Sequence, residues 1–251
     1  MAEFEEAYHK NTKQFIKVEN YSDKIHYMNI FCPECEIAPI HIVRKQKGTY
    51  FASNRKDEHS EDCQHYREFI VNKNIVKLIN SEISEDKERL RFLIDSNLRS
   101  SLNLLQKKVI GNLDFLKINR VHQIESNFET SKLDKYTTEN ILRIHIKNIF
   151  KKKAELLNQY IIIYGFASIE CTERESVNKT TQESFKIKNM YFKLNDRLHF
   201  SITLTGKKLN HYVELSENPF ELGFAVFGLM AENKGYLNLK ISSINHLKIL
   251  T

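Results

Sequence analysis

Proline and glycine are scarce in this sequence, at 3 and 7 of 251 residues. That scarcity argues against a long flexible linker, so adjacent modules are expected to touch. Long apolar runs are missing too. A stretch such as Tyr160 to Ala167 falls far short of the roughly 20 residues a membrane helix needs. The opening Met-Ala-Glu-Phe-Glu-Glu is acidic and lacks the basic-then-apolar pattern of a signal peptide, so a cytoplasmic protein is expected. There are only 4 cysteines. In a reducing compartment such a set points to metal binding or inert thiols rather than disulfides. We find no internal repeat and no low-complexity tract. There is no His-Glu-x-x-His, no Gly-rich phosphate loop and no cluster of carboxylates with a lysine at catalytic spacing. No enzyme is expected, although carboxylates converging from distant positions leave a nuclease open.

Apolar residues make up 41% of the chain, enough for a packed core. The net charge of +6 is spread unevenly. Residues 1 to 70 hold 10 Lys/Arg and 12 Asp/Glu; residues 71 to 156 hold 17 and 11; residues 157 to 251 hold 11 and 9. A basic middle suits a polyanionic partner, and equally a solvated helical surface.

Three parts are expected in an α+β chain: a zinc-ribbon-like module over 1–65, a basic helical region over 66–157 and a five-stranded β-barrel over 158–251. In the first, Pro39 to Arg44 and Thr49 to Ser53 read as strands joined by a hairpin turn at Gln46-Lys47-Gly48. From Tyr66 the period becomes helical, with Phe69, Ile70, Ile75, Val76 and Ile79 at three- and four-residue steps. Ser84, followed by Glu85, Asp86 and Glu88, marks a second helix start. Leu90, Leu93, Ile94, Leu98, Leu102 and Leu105 form its apolar face, with Gly111 as its stop. A third helix is expected from about Thr138 to Gln159, burying Ile141, Leu142, Ile149, Phe150 and Leu157. The stretch from 112 to 136 reads ambiguously. Five strands follow: Tyr160 to Cys171, Phe185 to Leu194, Arg197 to Thr205, Gly223 to Glu232 and Tyr236 to about Ile249. Asp196-Arg197 and Asn233-Lys234-Gly235 read as turns, and Leu215 to Phe220 as a short helix or turn.

The sharpest motif is Cys32-Pro-Glu-Cys35 followed by His59-Ser-Glu-Asp-Cys63. Two residues between cysteines let both thiolates meet one tetrahedral ion from a tight turn. Three residues between His59 and Cys63 place them one helical turn apart. We expect one structural zinc ion on Cys32, Cys35, His59 and Cys63, with His65 and His41 as alternative histidines. Four protein ligands leave no open position for a catalytic water. Cys171, in a strand, reads as a buried apolar residue rather than a reactive thiol. The Cys-Pro-x-Cys pair, Tyr50-Phe51-Ala52 and the later His and Cys resemble the N-terminal zinc-binding region of CoiA-like competence proteins. That resemblance implies a link to DNA. The nuclease part expected of those proteins is not evident in this sequence.

Five strands with a helix or turn between the third and fourth match the order of an OB-fold, a small Greek-key barrel. Met190 to Asp196, Leu198 to Leu204 and Gly206-Lys207 resemble strands two and three of the OB-folds of single-stranded DNA-binding proteins and anticodon-binding domains. Tyr160 to Gly165 resembles their first strand, and Gly223 to Ile249 their last hairpin. Strand alternation turns Met190, Phe192, Leu194, Leu198, Phe200, Ile202 and Leu204 inward. It turns Asn189, Tyr191, Lys193, Arg197, His199, Ser201 and Thr203 outward. The resemblance implies that this outer face carries single-stranded DNA or RNA. Tyr191 would be the stacking platform, His199 a second stacker, and Lys193 and Arg197 phosphate contacts. Lys186, Lys188, Lys234 and Lys240 would extend the charge. Strands one and four are apolar on both faces, with Ile161 and Ile163 opposite Ile162 and Tyr164, and Phe224 and Val226 opposite Ala225 and Phe227. A second cover is therefore implied, from the basic helices or a second subunit. The leading expectation is a non-enzymatic binder of single-stranded nucleic acid; the alternative is a protein-interaction module in a larger assembly.

Overall fold

The computed structural model describes residues 3–46, 48–53, 58–60, 62–66, 68–112, 139–177, 180–205 and 221–250. The ambiguous stretch beyond residue 112, Gly206-Lys207, Lys47 and the Leu215 to Phe220 segment lie outside the described residues. The chain divides into two compact units. Among the described residues, the first holds 3–69 together with Glu139 and Asn140, and the second holds 70–112 and 141–250. No helix among them is long and apolar enough to cross a membrane.

The first unit is built from short strands: β1 (Glu3–Phe4), β2 (Glu6–His9), β3 (Gln14–Lys17), β4 (Ile30–Phe31), β5 (Ile40–Lys45), β6 (Gly48–Ser53), β7 (Glu68–Phe69) and β8 (Glu139–Asn140). A one-turn helix, α1 (Asp23–His26), precedes β4. The expected hairpin forms, pairing Ile40 with Ser53 through Lys45 with Gly48, and β1 joins it along β6. Strands β3, β2 and β4 make a second sheet, and β7 pairs in parallel with β8. Their core is small: Phe4, Ala7, Ile30, Ala38, Ile40 and Phe51 close around Cys32 and Cys63.

In the second unit α2 (Asn72–Asn80) and α3 (Ser84–Asn112) precede a seven-stranded mixed sheet. Helix α2 begins later than the periodicity from Tyr66 suggests, because Glu68 and Phe69 are committed to pairing with Glu139 and Asn140. Helix α3 starts at Ser84 as expected, and beside it the Ser81 hydroxyl accepts from the Ile83 N–H and donates to Asp86. Leu93, Ile94, Leu98 and Leu105 are buried as expected.

The third helix expected over Thr138 to Gln159 does not form. Strand β9 (Arg143–His145) instead runs parallel to the next strand, with Arg143, Ile144 and His145 opposite Ile162, Ile163 and Tyr164. A turn of 3-10 helix (Ile146–Asn148) and the one-turn α4 (Lys153–Leu156) follow. Over so few residues, isoleucines two and three apart fit a strand as well as a helix, and tertiary pairing decides. Ile141 and Ile149 are buried, whereas Leu142 and Phe150, expected inside, are 38% and 39% exposed.

The strands match the reading closely: β10 (Tyr160–Val177), β11 (Ser184–Leu194), β12 (Arg197–Thr205), β13 (Leu222–Asn233) and β14 (Tyr236–Lys240), with β15 (Leu247–Ile249) split from the last. The β11–β12 turn sits on Asn195 and Asp196, one residue before the expected pair, both with positive φ. Lys234 and Gly235 make the equivalent turn between β13 and β14. Such paired left-handed residues match the twist of a tight hairpin. Strand β10 pairs with both β11 and β13; β14 pairs with β13 and, in parallel at Ser201 and Asn238, with β12.

One face of the sheet buries Ile161, Ile163, Met190, Phe192, Phe200, Ile202, Leu204, Phe224, Val226, Leu237 and Leu239. Ile146, Ile149 and Leu156, from the segment between β9 and β10, join the same core. Gly165 lets that segment approach: its φ is +148°, and a Cβ there would lie 2.6 Å from a methyl of Ile146. The opposite face of β10 and β13 packs Ile162, Tyr164, Ala225 and Phe227 against Ile75, Leu78, Leu93, Ile94, Leu98 and Leu105. The second cover implied by the doubly apolar strands is thus supplied by α2 and α3.

Candidate metal centre and candidate nucleic-acid interface

Cys32, Cys35, His59 and Cys63 converge, with their ligand atoms all within 4.8 Å of one another. Cys32 Sγ and Cys63 Sγ are 4.0 Å apart; His59 Nδ1 is 3.6 Å from Cys35 Sγ and 3.4 Å from Cys63 Sγ. A tetrahedral ion with Zn–S near 2.3 Å and Zn–N near 2.0 Å would set ligand edges of about 3.5–3.8 Å. The four residues therefore fit a metal ion. The cluster is buried, with Cys32 and Cys63 fully so and His59 4% exposed. Of the alternative histidines, His41 is exposed on β5, and His65 stands beside the cluster, with Nε2 3.8 Å from a Glu34 carboxylate oxygen.

Local backbone builds both arms. Glu36 N–H donates to the Cys32 carbonyl at 2.9 Å, and Cys32 N–H to that of Ala38 at 2.8 Å, closing the first turn. Glu36 takes φ +59°, turning the chain away after Cys35. On the second arm Cys63 N–H donates to the Ser60 carbonyl at 2.8 Å. Glu34, buried within the first turn, holds the arms together: its Oε2 accepts from Gln64 N–H at 3.1 Å and lies 3.4 Å from Cys63 Sγ. Asn140 ties the same place from β8, donating to the Gln64 carbonyl at 2.8 Å. Spacing alone gave no sign of either residue; a carboxylate inside a Cys-x-x-Cys turn was the one available hint.

The thiols shape one another's charge. Hydrogen bonding with Cys35 pushes Cys32 up to about 12, assisted by burial, and hydrogen bonds with Cys32 and Cys35 push Cys63 up as well. Hydrogen bonds from Cys32 and Cys63 hold Cys35 well below the usual thiol range. Without a cation the cluster favours one thiolate; three thiolates together require a positive ion among them. Cys171 is half-buried against the sheet core, and burial pushes its thiol up, in keeping with an inert residue.

The eight nucleic-acid candidates do not share one surface. Tyr191, Lys193 and Asn189 lie on one face of β11, and Tyr191 stands opposite Ser201. Ser201 pairs with Asn238, so Tyr236, Asn238 and Lys240 of β14 share that face. A polar row crosses it: Thr203 donates to Asn189 at 3.0 Å, and Asn238 to Ser201 at 3.1 Å and Thr203 at 3.3 Å. Tyr236, 64% exposed, is an aromatic of this face that the reading of β11 and β12 missed, although its place after the Asn233-Lys234-Gly235 turn was visible. Lys193 is paired with Glu170 at 2.5 Å. Lys186 and Lys188 fall by alternation on the Met190 and Phe192 face instead; Lys186 pairs with Glu173 at 3.0 Å and Lys188 is 6% exposed.

Arg197 and His199 depart furthest from expectation. Phe192 pairs with Phe200 but Lys193 with Leu198, so His199 is an extra residue in β12. Such a bulge reverses the faces before it. Leu198, expected inward, shares the face of Lys193, while Arg197 shares that of Leu194. His199 is not an exposed stacker but is 8% exposed, its ring 4.9 Å from that of Phe150. Arg197 sets its guanidinium carbon 4.6 Å from the centroid of the same ring.

Compared with protein-family models and with curated proteins, the chain matches none.

Proposed function

We propose that this protein binds single-stranded nucleic acid, without catalysis of its own, on the outer face of β11, β12 and β14. One observation carries the reading: the strand pairings run β10, β11, β12, β14, β13 and back to β10, with β12 and β14 parallel. That circuit supports the reading of an OB-like barrel, a fold that presents its second and third strands to oligonucleotides. On that face Tyr191 and Tyr236 offer two rings for base stacking, and the Asn189, Ser201, Thr203 and Asn238 row offers donors and acceptors to base edges. In the first unit the three thiols and one imidazole are a donor set suited to zinc. A closed four-ligand site with so small a core fits a structural ion that holds the module together. Free cysteines and thiolate ligation fit a reducing, cytoplasmic setting.

Photo-crosslinking of a halogenated single-stranded oligonucleotide, followed by peptide mapping, tests the reading. Crosslinks at Tyr191 or Tyr236 are expected; crosslinks confined to other surfaces overturn it. A protein-interaction role is the second reading. The apolar faces of β10 and β13 do not support it, because the helices cover them. What favours it is a group of exposed apolar residues in the first unit, with Ile25, Tyr27 and Met28 at 60%, 66% and 78%.

A further inference from the structure

The outer face of β11, β12 and β14 carries little charge. Among the described residues of those three strands, its charged side chains are Lys193 and Lys240. Lys193 is paired with Glu170 of β10. Glu170 also stands directly across from Tyr191, so a phosphate drawn over that ring would meet a carboxylate. That leaves Lys240, exposed at the end of β14. A strand held mainly through its phosphates needs several cations, each contact releasing counterions. This face is not built that way.

What it offers is a fixed set of hydrogen-bonding groups. Asn238 donates from Nδ2 to Ser201 Oγ at 3.1 Å and to Thr203 Oγ1 at 3.3 Å. The Thr203 hydroxyl donates onward to Asn189 Oδ1 at 3.0 Å, and the Ser201 hydroxyl to the Leu237 carbonyl at 3.4 Å. Both hydroxyl protons are committed elsewhere, so both oxygens accept from Asn238. Its amide is thereby oriented before any ligand arrives, with both Nδ2 hydrogens used and Oδ1 left as the acceptor on offer. Tyr236, Asn238 and Lys240 follow one another on this face, about 7 Å apart at each step. A base on the exposed Tyr236 ring therefore has a fixed acceptor near its edge and one cation beyond for a phosphate.

Resting on the reading above, we infer that this face selects among bases rather than holding every single strand alike, and that Asn238 is the residue that selects. Its carbonyl accepts from an N–H on the edge of the base stacked on Tyr236. A base that turns a lone pair to the same place leaves two acceptors facing each other, each without its donor. Thr203 is a positioning residue: its hydroxyl, tied to Asn189, holds the Asn238 amide the right way round. Affinity comes mainly from the bases, and its salt dependence is shallow.

The test uses the full-length protein and labelled single strands of about 8 nucleotides, within the span an OB-type face covers. They are made, as DNA and as RNA, of adenine, cytosine or thymine/uracil alone, or of guanine alternating with thymine/uracil. A methylphosphonate version of the best-bound sequence keeps the bases and sugars and removes the backbone charge. Wild type should prefer one composition by about tenfold or more. The slope of log affinity against log salt should be about 1 or less, at about 0.7 per phosphate contact, and the methylphosphonate strand should bind within about tenfold of the charged one. Asn238→Leu and Thr203→Val, the latter keeping the side-chain shape, should each narrow the preference to about twofold without lowering the unfolding temperature. The composition panel and the uncharged strand are read on wild type, so they decide the matter even where a variant unfolds. Equal affinity for every composition, with a slope of about 2 or more and no binding of the methylphosphonate strand, overturns the inference. The parent reading then still stands provided Tyr191→Ala weakens binding. If wild type binds no strand at all, both are lost.

Discussion

Arg197 holds its guanidinium carbon 4.6 Å from the centroid of the Phe150 ring. The contact joins the start of β12 to a segment that a helical pattern would have folded differently, and it depends on the extra residue at His199. That bulge regroups the expected contacts: Tyr191 and Lys193 stay with the polar row, while Arg197 and His199 join Phe150.

A partly exposed cation–π pair is worth about 0.5–1 kcal/mol. A double-mutant cycle with Phe150→Leu and Arg197→Ala, read by urea unfolding, should return a coupling of that size. A coupling of zero would mean that the two residues are ordered independently.

One zinc per chain is expected by colorimetric release or elemental analysis, and Cys63→Ser should abolish it. Because structural zinc contributes on the order of 10 kcal/mol in small modules, the same change should unfold the first unit. Acid should release the ion. Cys32, pushed up to about 12, and Cys63, also pushed up, hold their protons at neutral pH when metal-free, so binding must displace protons. Apparent affinity should therefore rise with pH and fall on acidification. Affinity independent of pH between 5 and 8 would contradict thiolate ligation.

Glu34→Ala removes the oxygen that accepts from Gln64 N–H beside Cys63. Changes to groups that orient metal ligands typically cost about 10–100-fold in affinity. Competition with a zinc-binding dye should detect that loss while stoichiometry stays at one. Unchanged affinity would reduce Glu34 to a bystander.

Asn97, buried in the middle of α3, donates to the Leu93 carbonyl and accepts from the Ile141 N–H at 3.0 Å. Asn97→Ala leaves that N–H without its acceptor. Urea unfolding should show a loss of about 1–3 kcal/mol. A neutral result would mean that the segment starting at Ile141 repacks freely.

Much of this architecture was legible because its signals are local. The grouping of Cys32, Cys35, His59 and Cys63 follows from spacing, and the strand limits of β11 and β12 follow from alternation broken by turn residues. The double-sided apolar pattern of Ile161 to Tyr164 correctly demanded a second cover, which Leu93, Leu98 and their neighbours on α3 provide. What stayed hidden depends on distant partners. Ile144 reads as helix until its pairing with Ile163 is known. His199 reads as an outward residue because a bulge is invisible to strict alternation. Lys193 and Lys186 read as free cations, since only register brings Glu170 and Glu173 beside them. Glu34 and Asn140 act on the metal cluster through backbone groups that no motif records.

The most direct test of the account is fluorescence-anisotropy binding of labelled single-stranded DNA, single-stranded RNA and duplex at two salt concentrations, on zinc-loaded protein and its Tyr191→Ala variant. Preferential binding to a single strand that weakens with salt is expected, with the variant losing about 1–3 kcal/mol. Absence of binding to every probe by folded protein carrying one zinc, or a Tyr191→Ala variant that binds as wild type does, would contradict it.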